Sequence, residues 1–486
     1  MKVPIFSPLF LAAVLLFSTA QTCEKIAPEA PEGGGTELAA APGGSNVAHG
    51  ESGTEFAAAP SGTLAVNGSD TLNIRNSDAH AQALEKDGLS LQEKTGLAAT
   101  QSRSAALDSV RRERKAAALA AEPELRGVWV STVEELDWPM GIYDEEGQKE
   151  LYRRYLDIFE KLNINAVFFQ VRPLADAFYD SGIEPWCASI TSERGRNPGY
   201  DVLRFLLDET HARGMQFHAW MNPYRIAKRE GPQTEFPPLD RLIPAELTLD
   251  YAKVRIYNPA LPQVRERIAR IITDLVSRYD VDGIHFDDYF YPALQAGELM
   301  GDEKYFQCYG EGEADIEEFR RHNVEKMVRL AREAVRKADP SVIFSISPAG
   351  NYEYCRDAMY FDIEDICSKG LTDMIIPQLY WSPDAPVDYF TPRLQWFSEH
   401  TADVPMLVGY PAYRFGTGDA GFDDAGVFLR QCAMARSCAK VRGGVIFRAA
   451  DFFRNGAGIA DSIAAAYATP APLPEITSTS EYTLPR

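Results

Sequence analysis

From Leu125 onward the chain alternates, eight times over, between a short apolar run and a longer amphipathic or loop segment. This alternation is the strongest constraint on the fold. Two strands joined through a helix run parallel, and parallel strands bury both faces. The apolar runs are Arg126–Thr132, Asn165–Val171, Met215–Met221, Asp282–Asp288, Ser341–Ser347, Asp373–Leu379, Pro405–Tyr410 and Gly443–Arg448. Glu145–Lys161, Asp201–Arg213, Pro262–Arg278 and Ile316–Lys337 read as helices, with a long loop between Met221 and Pro262. Eight such units predict an α/β chain closed as a (β/α)8 barrel. An open doubly wound sheet would carry a Gly-rich phosphate turn after its first strand, and the segment after Thr132 has none.

The barrel accounts for residues 123–468. Residues 1–22 read as a signal peptide: Lys2 gives a positive start, and the apolar stretch from Ile5 to Phe17 is too short to span a bilayer. Ser18-Thr19-Ala20 fits a signal-peptidase site that would release a soluble protein. Cys23 stands where a lipoprotein carries its acyl chains, and the long polar segment behind it favours that reading. Residues 23–122 form a disordered linker in this reading. They are rich in Ala, Gly, Ser, Pro and Glu, with Phe56 as the only aromatic, and cannot bury enough apolar surface to offset ordering. Ala105–Ala121 could form a solvated helix at its end, and 469–486 reads as a C-terminal tail. The expected location is outside the cytoplasm, as an outer-membrane or cell-surface lipoprotein, otherwise periplasmic or secreted.

Charge narrows the partners. Asp and Glu number 70 against 49 Lys and Arg, a net charge of −21. Such a surface excludes nucleic acid, which needs basic groups to replace phosphate counterions, and leaves a lipid anchor as the one membrane contact. A neutral or weakly charged glycan stays compatible. The cysteines beyond Cys23 form no Cys-x-x-Cys pair and read as buried thiols.

Barrel chemistry sits at the C-terminal strand ends, on side chains that point inward. Period-two parity sends Gln216, His218, Trp220 and Asn222 inward from the third strand, and Gly283, His285 and Asp287 from the fourth. The second strand offers Gln170 and Arg172, the fifth Ser345 and Ser347, the sixth Gln378 and Tyr380. The run Asp282-Gly283-Ile284-His285-Phe286-Asp287-Asp288-Tyr289 is the sharpest signal. Adjacent carboxylates repel, so one titrates upward and can act as a general acid or base. Trp129, Trp186, Trp220, Tyr289, Tyr380 and Trp381 lie near strand ends, where flat rings suit the C–H faces of sugars.

These residues give the chain a resemblance to a known family. LRGVW at Leu125–Trp129, QVRPLAD at Gln170–Asp176, Glu184-Pro185-Trp186, HAWMNPYR at His218–Arg225, Tyr257-Asn258-Pro259, GIHFDDYFYP at Gly283–Pro292, Ile346-Ser347-Pro348 and PQLYW at Pro377–Trp381 occur in that order. The chain resembles the bacterial glycosyl hydrolase-like family 10. The resemblance implies a TIM-barrel hydrolase of glycosidic bonds, with cell-wall glycan strands as one substrate class. The fourth-strand run also echoes the chitinase pattern D-G-x-D-x-D-x-E, but His285 replaces its second Asp and Tyr289 stands at its acid.

The reading is therefore a glycoside hydrolase of a cell-wall or extracellular polysaccharide, peptidoglycan among them. Asp287 is the nucleophile or base, with Asp288 and then Asp176 as candidates for its partner. Arg172, Trp186, His218, Trp220, Asn222, His285, Tyr289, Ser347, Gln378, Tyr380 and Trp381 are expected to bind sugar or orient the carboxylates. No cofactor or metal is expected. Two other readings are a glycan-binding barrel without catalysis, and a metal-dependent hydrolase built on His218, His285 and Asp287.

Overall fold

The computed structural model describes residues 121–231 and 234–476. The signal segment, Cys23, the linker up to residue 120 and residues 477–486 lie outside the described residues. Eleven strands follow in order: β1 Leu125–Val130, β2 Ala166–Arg172, β3 Gln216–Met221, β4 Arg225–Lys228, β5 Thr248–Tyr251, β6 Val254–Tyr257, β7 Gly283–Phe286, β8 Ile343–Ile346, β9 Met374–Ile375, β10 Met406–Pro411 and β11 Val441–Phe447. Eight of them close in the order β1-β11-β10-β9-β8-β7-β3-β2, and each neighbouring pair is parallel. With helices between the strands, this is the (β/α)8 TIM barrel that the alternation predicts.

Local signals place the helices. Glu145–Lys161 starts where Asp144 accepts a hydrogen bond from the Gly147 N–H, and it buries Leu151, Tyr152, Tyr155, Leu156 and Phe159 along one stripe. Pro262–Arg278 opens on proline, whose missing N–H costs nothing in a first turn. Asp315 caps Ile316–Ala338 in the same manner as Asp144.

Two apolar cores result. The lumen holds Leu125, Trp129, Ala166, Phe168, Trp220, Met374, Ile376, Leu407 and Val445. Phe217, Ala219, Met221, Ile284 and Phe286 belong instead to the core shared with the helices. The inward and outward assignments for β3 and β7 follow the expected parity. Gly283 has a packing reason: a Cβ there would lie 2.1 Å from Nδ1 of His218, which fills that part of the lumen.

Three features depart from the expected outline. The sixth strand shrinks to two residues, because Pro377 has no N–H to give the ladder; Gln378 makes only isolated bridges to Ala349 and Gly409. The loop after β3 contains a separate antiparallel sheet, β4-β6-β5. Residues 469–476, the start of the expected tail, run under the barrel. Pro472 O accepts the Glu124 N–H, Ala471 O accepts from Asn165, and Leu473 and Ile476 pack on the lumen core. Cys187, Cys355, Cys367 and Cys432 are buried free thiols, and Cys438 is half-buried and free. Among the described residues no helix is long and apolar enough to cross a membrane.

Candidate active site

β7 ends at Phe286, so Asp287 and Asp288 emerge at the mouth of the barrel. Their surroundings differ. Asp287 is buried and accepts three hydrogen bonds: from Trp220 Nε1 to Oδ2 at 3.1 Å, from Asn222 Nδ2 to Oδ1 at 2.8 Å, and from the Tyr289 N–H to Oδ1 at 3.3 Å. Burial raises its pKa above the usual carboxylate range, and the Arg225 charge and these donors limit the rise. Asn222 is itself held: its Oδ1 accepts the N–H groups of Tyr224 and Arg225, and its carbonyl accepts Arg172 Nη1. That arrangement turns the amide NH2 toward Asp287.

Asp288 is only half-buried, and its carboxyl is pushed up to about 7, by burial first and by the neighbouring Asp287 charge second. A hydrogen bond from Gln378 and the charge of Arg225 oppose that rise. Gln378 is steadied by donating to Ser347 O at 3.1 Å. One carboxylate is thus surrounded by donors, and its neighbour keeps a proton near neutrality. Such a divided pair separates an anion from an acid at one site.

Aromatic groups wall the mouth. Tyr380 stacks on Phe447 with centroids 5.9 Å apart, and Tyr413 stands edge-on to both at 5.8 Å. The phenols of Tyr380 and Tyr354 both sense the Asp288 charge, and burial pushes Tyr354 up to about 12. Tyr289 is exposed, with the Arg225 guanidinium 4.0 Å from its ring centroid. Trp381 is half-buried and lies 6.2 Å from the exposed Tyr389.

Directly beneath the pair, Trp129 Nε1 donates to His285 Nε2 at 3.1 Å, and Ser347 Oγ sits 3.1 Å from the same nitrogen. An indole N–H can only donate, so Nε2 is the acceptor and Nδ1 carries the proton toward Ser345 Oγ at 2.8 Å. Burial depresses the His285 pKa well below its usual range, and the ring stays neutral. His285 and Ser347 therefore form the floor of the site.

Four of the expected residues are placed elsewhere. His218 lies beside Gly283 in the register, while Trp220 lies beside His285 one level higher. His218 is fully buried, stacked on Phe168 at 4.3 Å, with Nε2 against Gln216, and burial lowers its pKa to about 4. It fills the lumen and does not reach a sugar in the mouth. Arg172 uses its donors on Glu184 at 2.6 and 2.7 Å and on the carbonyls of Asn222 and Pro223. It acts on the site by bracing Asn222. Asp176 accepts the Leu174 N–H and faces Arg194 and Cys187 of its own loop. Trp186 is part of the core shared with the helices.

This placement also corrects the metal reading. His218, His285 and Asp287 occupy three successive levels, and both ring nitrogens of His285 already have partners. Among the described residues, the His, Asp, Glu and Cys group close enough to share an ion is Glu313, Glu318 and His322, at the start of the helix Ile316–Ala338. There Lys326 and His322 already balance Glu313.

Sequence reading missed Arg225, Tyr354, Tyr413 and Phe447. Arg225 closes the HAWMNPYR stretch, and Phe447 shares inward parity with Gly443 and Val445. Tyr354 lies in the short helix Tyr352–Asp357 and Tyr413 in the single 3-10 turn Ala412–Arg414, where strand parity says nothing.

A family model described as Glycosyl hydrolase-like 10 matches residues 124–420. A Bacillus subtilis (strain 168) protein named glycosyl hydrolase YngK is 34% identical over 382 residues, 73% of this chain and 74% of its own length. An Escherichia coli (strain K12) protein named glycosyl hydrolase DigH is 31% identical over 326 residues, 60% of this chain and 74% of its own. Among solved structures, the PgaB (BpsB) glycoside hydrolase domain from Bordetella bronchiseptica has a similar fold, with a TM-score of 0.50 and 14% identity. That likeness covers 72% of this chain and 99% of the domain.

Proposed function

The chain belongs to the glycosyl hydrolase-like 10 family and is a glycoside hydrolase, and we propose that Asp287 and Asp288 carry out its chemistry on a cell-wall or other extracellular polysaccharide. The observation that carries this reading is the unequal setting of two adjacent carboxyl groups. Asp288, with its pKa raised to about 7, holds the proton that the leaving glycosidic oxygen takes as the bond breaks. Asp287, ringed by Trp220, Asn222 and the Tyr289 N–H, supplies the anionic side as nucleophile or base. Tyr289, Gln378 and Tyr380 offer hydrogen bonds and ring faces to sugar units in the mouth, and Trp381 a ring further out.

The substrate class rests on the start of the chain. A signal segment, a candidate lipid anchor at Cys23 and a long polar linker suit a barrel that works on polymer outside the cytoplasm, peptidoglycan glycan strands included.

The test is a panel of purified polysaccharides and peptidoglycan, with released oligosaccharides detected by mass spectrometry. Asp287→Asn should keep the fold and lower turnover by about 10²–10⁴-fold. Near-normal turnover in that variant would remove Asp287 from the mechanism.

A further inference from the structure

Arg225 begins β4, just after the Asn222-Pro223-Tyr224 turn at the exit of β3. Its side chain is held at the mouth: the residue is 8% exposed, and the guanidinium lies over the Tyr289 ring at 4.0 Å from the centroid. Its charge acts on both Asp287 and Asp288. Yet among the described residues no carboxylate forms an ion pair with it, and no acceptor takes a hydrogen bond from its guanidinium.

Buried arginines with a purely structural duty look different in this protein. Arg172 grips Glu184 with two nitrogens at 2.6 and 2.7 Å. Arg320 grips Asp302 at 2.9 and 2.7 Å. The guanidinium nitrogens of Arg225 are not among the buried atoms left without a partner, so they keep contact with solvent in the mouth, and the arrangement is that of a donor set open to a ligand. Tyr289 covers one face of the guanidinium, and the donors lie along its in-plane edge. That edge is a planar fork that matches the two oxygens of a carboxylate. Neutral hydroxyls already have Gln378, Tyr380 and Tyr289 close by and do not call for a buried cation.

We infer that Arg225 binds a carboxylate carried by the sugar at the scissile bond, and so selects anionic glycans over neutral ones. The inference rests on the glycosidase reading of the Asp287–Asp288 site and names its substrate class. Arg225 is a specificity residue here. It takes no proton and forms no covalent bond.

The experiment uses the full chain and a panel of carboxylated polymers: a polyuronate, a glycosaminoglycan and peptidoglycan glycan strands. Each is supplied as such and after reduction of its carboxyl groups to alcohols. The wild-type protein should show kcat/KM about 10- to 100-fold higher on the carboxylated form, the range expected of one charge-assisted pair. Arg225→Gln should erase that preference, bringing kcat/KM on the two forms to the same value even though loss of the charge beside Asp287 and Asp288 changes turnover itself, and Arg225→Lys should restore part of it. Equal cleavage of both forms by the wild type would overturn the inference, as would a proportional loss on both forms in Arg225→Gln. If no polymer in either form releases products, the reading of the Asp287–Asp288 site fails separately. Binding of the same polymer pairs to Asp287→Asn then decides the role of Arg225: equal affinity for the two forms would refute it.

Discussion

Replacing Asp288 by Asn should make the protein more stable and less active, with a stability gain that grows with pH. In the folded chain the carboxyl is pushed from 3.8 to about 7, by burial and then by Asp287. A carboxyl whose folded pKa lies above its unfolded value binds its proton more tightly when folded. Its contribution is therefore full below about pH 4 and is lost progressively as pH rises to about 7. A shift of about three pKa units, at about 1.4 kcal/mol each, sets a ceiling of about 4 kcal/mol on that loss. Asp288 is half-buried, and water at its open edge brings the expected effect down to about 1–3 kcal/mol. Asparagine keeps the shape and stays neutral at every pH. Urea unfolding followed by tryptophan fluorescence should give matching stabilities at pH 4, and an advantage of about 1–3 kcal/mol for Asp288→Asn at pH 8–9. In parallel, kcat/KM of the wild type should fall above about pH 7 as the acid loses its proton, and the variant should lack that limb. Stability curves that run parallel from pH 4 to 9 would refute the argument, because Asp288 would then not be a proton-holding acid in the folded state.

Other outcomes follow from the same geometry. Arg172→Met takes the bidentate partner from buried Glu184, leaving it the Tyr257 hydroxyl and Arg267 at 4.0 Å, and should cost about 3–5 kcal/mol in urea unfolding, whereas Arg172→Met with Glu184→Leu should recover most of it. Gly283→Ala puts a methyl group against His218 and should cost about 1–3 kcal/mol, a penalty that His218→Ala in the same chain relieves on thermal denaturation. Mass spectrometry of the mature N-terminus should find an acylated Cys23, and Cys23→Ser should move the protein out of the membrane fraction; an unmodified terminus at Gln21 would refute the anchor.

Much of the fold was legible because its signals are local and periodic. Glu145–Lys161 and Pro262–Arg278 are read from the sequence with the ends the structure shows, since a capping aspartate and an opening proline mark their starts. Parity separated Phe217 and Ile284 from Trp220 and His285, because a strand alternates faces whatever surrounds it. Legibility failed where a partner comes from a distant segment. The run Asp373–Leu379 has the composition of a strand, but Pro377 and the neighbours across the barrel decide how much of it pairs. The contact of Leu473 and Ile476 with the lumen core joins the two ends of the barrel sequence and leaves no periodic trace.

The site divides along the same line. Parity says that His218, His285 and Asp287 point inward, but it does not say at what depth. Depth is set by the register between β3 and β7, which pairs His218 with Gly283 and Trp220 with His285. Three residues that look like one cluster in sequence are therefore stacked in three levels, and only the topmost lies at the mouth of the barrel. Arg172 and Arg225 make the complementary case. Both are arginines close to the exits of neighbouring strands, and residue type alone treats them alike. The Arg172–Glu184 pair satisfies the first within the protein, since a loop residue twelve positions away folds back onto it. Among the described residues the second finds a ring face and no acceptor. What separates a brace from a binding group here is the count of satisfied donors, a property of the assembled mouth that no single stretch of sequence contains.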